Sequence, residues 1–299
     1  MAGRGYDLGI GAHHAYFTEA ERKPPGNNFL NLIGELCRCQ LPTAIVSSEK
    51  FCSLYDSGDV MRQLAAIARA IASVGYTTTF VFYVREQSGF IESSYAELVK
   101  HGCGWNFDDY LERTIASGRI DFRVNEQLAL EYTLLATAFE AAFGAGSVLI
   151  RPYPPPNGKG MLADFLDAIG IACDARDVSA HEGAEKTNAR QSCADVLRAL
   201  HRNAGTNAAG VAPLEAMWTS FDTAERAASE EPFAPLSPDD VARIASRFAA
   251  ANERLRADYG YAPGPAPHRS ATGTANRQRA LLRRAAILWN LHPAIRYEA

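Results

Sequence analysis

Arg85 closes a run of β-branched and aromatic residues, Tyr76-Thr-Thr-Thr-Phe-Val-Phe-Tyr-Val84, and Ser93 and Ser94 follow it by eight and nine positions. That spacing suits the gripping of a phosphate, because an arginine fork supplies two parallel charge-assisted hydrogen bonds and a serine hydroxyl a third. A solvated cation, or a partner for Glu86 or Glu92, is the plainer reading of Arg85. Glu49 follows Ala44-Ile-Val-Ser47-Ser48, at the end of a short apolar run. A carboxylate there could take a proton from a hydroxyl, since burial raises a carboxyl pKa, or it could simply cap the next helix. Arg151 ends Val148-Leu-Ile and precedes Pro152, a position for binding an anionic substrate or pairing with an acid. His13 and His14 are adjacent, so only one points a given way; they are read as surface residues, with a base, His14 above all, or metal ligands as the alternatives.

These residues need a sheet edge to bring them together. The sequence predicts strands over 43–47, 77–84 and 147–151, with helices over 28–39, 59–73, 88–101, 107–117, 124–143 and 160–169. Alternation of this kind implies an α/β fold with a mainly parallel sheet flanked by helices. Residues 77–84 are apolar or β-branched almost throughout, as in an interior strand covered on both faces. Arg85 then falls at the carboxyl end of that strand, where open α/β sheets bind ligands, and Ser93 about two turns into the next helix.

After residue 185 no strand signal returns, and the remainder reads as a helical C-terminal part. Ser237-Pro238-Asp-Asp240 opens a helix with a capping hydroxyl, a first-turn proline and first-turn acids, and that helix extends to Asp258. Gly260 to Gly273, with Pro263, Pro265 and Pro267, has linker composition. A basic helix over 276–290 follows, in which Arg277, Arg279, Arg283 and Arg284 accompany Leu281, Leu282, Ile287, Leu288 and Trp289. A solvated polar face on a docked helix accounts for it, with contact to anionic lipid or a partner as the alternative. The expected division is a domain over 1–260 and a linker with terminal helix over 261–299.

Composition bounds the function. With 299 residues, 47% of them hydrophobic, the chain can bury a substantial core. A net charge of −4 offers no electrostatic reason to expect nucleic acid or an anionic membrane as partner. No apolar run approaches the ~20 residues that span a bilayer, and the first thirty residues lack the apolar stretch of a signal peptide, so a cytoplasmic location is expected. The six cysteines, at 37, 39, 52, 103, 173 and 193, show no C-x-x-C spacing, so neither a metal site nor disulfide bridges are expected.

Taken in order along the chain, these segments resemble the bacterial sulfotransferase-like proteins of the P-loop superfamily, which use 3′-phosphoadenosine-5′-phosphosulfate (PAPS). The resemblance covers roughly residues 10–260. It rests on Ser47-Ser48-Glu49, the Arg85/Ser93 pair, Phe107-Asp-Asp-Tyr-Leu111, Val148-Leu-Ile-Arg151-Pro-Tyr153, Asp164-Phe-Leu-Asp-Ala-Ile-Gly170-Ile171, Asn188-Ala-Arg190-Gln-Ser192 and Arg247-Phe-Ala-Ala-Ala-Asn252-Glu253. It implies that Arg85 with Ser93 or Ser94 binds the 3′-phosphate of PAPS or of 3′,5′-ADP. Arg190 would reach the same nucleotide, unless the 188–192 segment only caps the helix that follows, and the sulfuryl group would pass to a hydroxyl acceptor such as a carbohydrate. One family feature has no match: the Gly/Lys/Thr-rich loop that cradles the 5′-phosphosulfate. Lys23-Pro-Pro-Gly26-Asn-Asn28 has a lysine and a glycine, but its prolines remove amide donors, and no strand precedes it. Three readings therefore stand: an enzyme with a degenerate loop or with a start upstream of Met1, a non-catalytic relative binding a nucleotide or a partner, and a different transferase on a related scaffold.

Overall fold

The computed structural model describes residues 43, 45, 49–53, 55, 58–123, 126–156, 160–172, 190–205, 212–261 and 272–291. After a 3-10 turn (Glu49–Ser53), these residues run through α1 (Gly58–Ser73), β1 (Phe80–Arg85), α2 (Gln87–Lys100), α3 (Phe107–Ser117), β2 (Arg119–Arg123), β3 (Glu126–Ala129), α4 (Tyr132–Phe143), β4 (Val148–Tyr153) and α5 (Met161–Ala168). Five helices complete them: α6 (Cys193–Gly205), α7 (Leu214–Thr219), α8 (Thr223–Glu230), α9 (Pro238–Tyr259) and α10 (Thr272–Leu288). The fold is α/β and mostly helical, with a small parallel sheet in which β1 pairs with β4. The long crossover between those strands, which carries α2, α3, β2, β3 and α4, permits the parallel pairing, which no hairpin could make.

β1 starts three residues later than expected and keeps the arginine at its end. It buries Phe82 and Val84 and leaves Tyr83 and Arg85 half-buried, so its burial alternates rather than covering both faces. Of the further expected strand, 43–47, only Thr43 and Ile45 are described; both are exposed and neither belongs to a strand. The helix expected over 28–39 lies outside the described residues.

The chain clusters into two compact units. Among the described residues, those up to Phe82 together with Leu134–Leu149 form one. Its packing is aromatic: Phe139, fully buried, meets Phe80 at 4.6 Å and Phe82 at 5.0 Å between ring centres in edge-on contacts, and Phe51 adds a further edge contact to Phe80. Such ring pairs add to the stabilisation that burial provides.

The second unit comprises Tyr83–Thr133 and the described residues from Ile150 onward. Its core gathers Ile91, Tyr95 and Val99 of α2, Phe107, Tyr110 and Leu111 of α3, Val196, Leu197 and Leu200 of α6, Phe248 of α9, and Leu281 and Leu282 of α10. Buried hydroxyls are anchored: Tyr95 donates to the Trp105 carbonyl at 2.6 Å and Tyr110 to that of Ile91 at 3.1 Å. The terminal helix is thus part of this core.

Two elements depart from the sequence reading. The single helix expected over 124–143 is a strand followed by a helix, because β3 pairs antiparallel with β2, Ile120 opposite Leu128 and Arg119 opposite Ala129. Ile120-Asp-Phe-Arg123 carries the alternating pattern of a half-buried strand, and its pairing overrides the helical propensity of Glu126-Gln-Leu-Ala129. Gly118 makes the corner: it caps α3 with φ of 70°, a left-handed geometry that glycine adopts without strain. The terminal helix starts at Thr272, four residues earlier than expected. Its arginines are ion-paired as well as solvated: Arg279 is bound to Asp108 and Asp240, Arg283 to Asp108, and Arg284 to Glu225.

The helix expected from Ser237-Pro238 forms as anticipated. Ser237 and Asp240 make a reciprocal capping box. Burial pushes the Asp240 carboxyl up, but the Ser237 hydroxyl and amide, Arg279 and Arg243 outweigh it, and the net shift is downward. A depressed folded pKa stabilises the protein above the unfolded value, near pH 4. Asp240→Asn is therefore expected to lower the urea midpoint at neutral pH. The gap to wild type should close as the pH falls from about 4 through the lowered folded value, and a gap that persists at the acid end would show that the charge of Asp240 is not what stabilises this corner.

Candidate functional site

The parallel pairing determines which residues meet at the sheet edge. The Phe80 amide donates to the Ser147 carbonyl at 2.7 Å, and counting forward along both strands brings Arg85 level with the end of β4. Arg85 lies with its guanidinium carbon 4.1 Å from the centre of the Tyr153 ring. From below, the buried Tyr132 hydroxyl donates to the Arg85 carbonyl at 2.7 Å, fixing the backbone where the strand ends. Burial, first of all, pushes that phenol well above its ordinary pKa, so it remains a donor.

Ser93 is brought to the same place by helix geometry. It lies two turns into α2, and its hydroxyl accepts from Arg85 Nη1 at 3.4 Å while donating to the Phe90 carbonyl at 3.1 Å. Ser94, one residue on, is buried, so of the two expected serines it is Ser93 that reaches the arginine. Among the described residues no carboxylate is paired with the Arg85 guanidinium. Glu86 instead closes the start of α2, accepting from the Ser88 and Gly89 amides at 3.0 and 3.1 Å. Those amides are the donors that a helix start would otherwise offer an anion.

Around this pair, the other expected cations are engaged with acids. Arg151 forms a two-pronged pair with Asp164, which is 1% exposed and also accepts from the Tyr83 hydroxyl at 2.7 Å. Burial together with the Asp164 carboxylate raises the Tyr83 phenol, so this group too stays protonated. Arg190 donates to Glu92 at 3.2 Å and to the Phe233 carbonyl at 2.7 Å. Glu92 is 2% exposed and accepts from the Leu236 amide as well. Ser192 caps α6 reciprocally with Asp195, which fits the capping reading of the 188–192 segment.

Glu49 has its backbone in the 3-10 turn; its side chain, His13, His14, Ser47, Ser48, Asn188 and the Lys23–Asn28 stretch lie outside the described residues. Cys103 and Cys193 are free thiols, and burial pushes that of Cys103 up to about 12. Among the described residues no group of three or more His, Cys, Asp or Glu side chains converges as metal ligands do. Likewise no helix among them is long and apolar enough to cross a membrane.

Sequence reasoning missed Tyr153, Tyr132 and the Tyr83–Asp164 contact. The signal for Tyr153 was its place two residues past a second strand, predicted over 147–151 and parallel to the first, which puts two strand ends side by side. Asp164 carried no such mark, because its partner stands thirteen residues away and only the fold joins them.

Comparison with protein-family models, with curated proteins and with solved structures found no match.

The Arg151–Asp164 pair yields a stability prediction. Arg151→Ala leaves a buried carboxylate without its cation and should cost about 3 kcal/mol, at the low end for a broken buried pair because the arginine side is a third exposed. Asp164→Asn should cost less, since the half-buried guanidinium can turn to water. Urea denaturation of both variants measures the order, and equal losses would show that the pair is not governed by the burial of the acid.

Proposed function

We propose that the carboxyl edge of β1 and β4 binds a phosphate group of a nucleotide through Arg85 and Ser93, and that the protein is a sulfotransferase-like protein whose donor is PAPS and whose product nucleotide is 3′,5′-ADP. The observation that carries the reading is the contact between Arg85 and Ser93 at the end of a parallel strand, with the guanidinium facing an aromatic ring and no carboxylate among the described residues. A guanidinium left unpaired beside a hydroxyl can offer two N–H donors to one phosphate, and the serine adds a third once its proton turns from the Phe90 carbonyl. The order of motifs along the chain supports the family assignment, and that assignment supplies the sulfuryl chemistry.

In that chemistry an acceptor hydroxyl, such as that of a carbohydrate, attacks sulfur in line with the departing nucleotide oxygen, and a base such as Glu49 or His14 takes the hydroxyl proton. Arg85 and Ser93 act at the far end of the donor and contribute orientation. A second reading, a non-catalytic relative that binds a nucleotide or a partner, is favoured by one feature. Glu86 and Glu92, the two carboxylates that precede Ser93 in sequence, are engaged in capping and in an ion pair, which leaves neither placed as a ready base.

Calorimetric titration with 3′,5′-ADP tests the shared part of both readings. Binding is expected, and Arg85→Ala should weaken it by ~1.5–3 kcal/mol, the range for hydrogen bonds to a charged group. Equal affinity in wild type and variant would remove Arg85 from the site. Transfer of labelled sulfate from PAPS to sugar and phenolic acceptors then separates the two: turnover supports the enzyme, and tight nucleotide binding without transfer supports the non-catalytic relative.

A further inference from the structure

Arg85 can serve a phosphate only if its fork points outward in one plane, and a free arginine side chain samples many directions. Ser93 alone is a weak constraint, being a single contact at 3.4 Å to a hydroxyl whose proton is already given to Phe90. Tyr153 supplies the other constraint. Its ring centre lies 4.1 Å from the guanidinium carbon, well within the ~6 Å over which a ring attracts a cation. Ring and guanidinium come from the ends of neighbouring parallel strands, so the sheet itself sets their spacing. The ring takes up the apolar side of the group and leaves to a ligand the in-plane N–H donors beyond the one that meets Ser93.

We propose that Tyr153 is a positioning residue for the phosphate site, holding the Arg85 guanidinium by its face so that its N–H edge meets the phosphate in a fixed direction. The inference rests on the nucleotide-binding reading above and adds a residue to it. The tyrosine hydroxyl takes no part in this role. Phenylalanine at 153 should therefore serve as well as tyrosine, whereas leucine, which fills similar space without a π-face, should not.

The test uses the full chain and 3′,5′-ADP as probe, in wild type, Tyr153→Phe, Tyr153→Leu, Arg85→Ala and the double variant Arg85→Ala/Tyr153→Leu. Tyr153→Phe is expected to bind as wild type does. Tyr153→Leu should bind about three- to tenfold more weakly, the span of an exposed to partly desolvated cation–π contact. The double variant should be no weaker than Arg85→Ala, because Tyr153 acts through the arginine. In the ligand-free protein, the Arg85 Nε–H proton resonance should be shifted upfield by the ring in wild type and Tyr153→Phe, and should lose that shift in Tyr153→Leu.

Undiminished binding by Tyr153→Leu while Arg85→Ala binds poorly would overturn the inference and leave the nucleotide reading intact. So would a loss in the double variant well beyond that of Arg85→Ala. A wild type that does not bind 3′,5′-ADP, or binds it as well without Arg85, would instead overturn the nucleotide reading, and the inference with it. Absence of the upfield shift in wild type would show that the stacking does not persist in solution and would reject the positioning role on its own.

Discussion

Glu92 is the acid on which the geometry of the candidate site turns. It precedes Ser93 on α2, and its carboxylate is almost wholly buried, which is tolerable only with strong donors around it. The Leu236 amide and Arg190 supply them, and Arg190 reaches on to the Phe233 carbonyl. Those contacts tie α2 to the segment leading into α9 and fix the rotation of α2 about its own axis. With Glu92 turned to the inside, Ser93 falls 100° around the helix and faces the end of β1. A rotation of one residue would bury the serine and leave a carboxylate beside Arg85, closing the edge to anions.

The same logic extends to the other cations. Arg151 and Arg190, read from the sequence as ligand contacts or as structural residues, pair with buried acids, and Arg247 pairs with Glu131. Neutralising those acids is a requirement of burial, since removing either partner strands a charge. Among the described residues Arg85 is different in kind: its contacts there are a hydroxyl and an aromatic face, neither of which cancels its charge.

In the helical part, charge has a structural use. Arg279 crosses from α10 to Asp108 near the start of α3 and Asp240 near the start of α9, with its guanidinium carbon 4.9 Å from the centre of the Phe107 ring. Acids in a first helical turn favour the helix start, and the arginine bridging two such turns brings both helices to α10. Gln278, fully buried beside it, accepts from the Ala234 amide at 2.8 Å and donates to the Ala228 and Pro232 carbonyls, pairing backbone groups of the last turn of α8 and of the loop before α9.

What the sequence determined by itself were the elements whose signals are local. β1 was legible from its β-branched and aromatic run, α9 from its capping serine, first-turn proline and first-turn acids, and the eight-residue spacing of Arg85 and Ser93 from strand end and helix pitch. Tertiary structure decided whatever depends on partners distant in the chain. Residues 126–129 became a strand because β2 was there to pair with them, against their helical propensity. Arg151 and Arg190 became ion-pair members because Asp164 and Glu92 are buried beside them, and burial is a property of the packed chain that no local pattern encodes. Tyr153 reached Arg85 for the same reason: strand ends 68 residues apart in the chain become neighbours only when the sheet forms, and the parallel register then sets the distance between ring and cation.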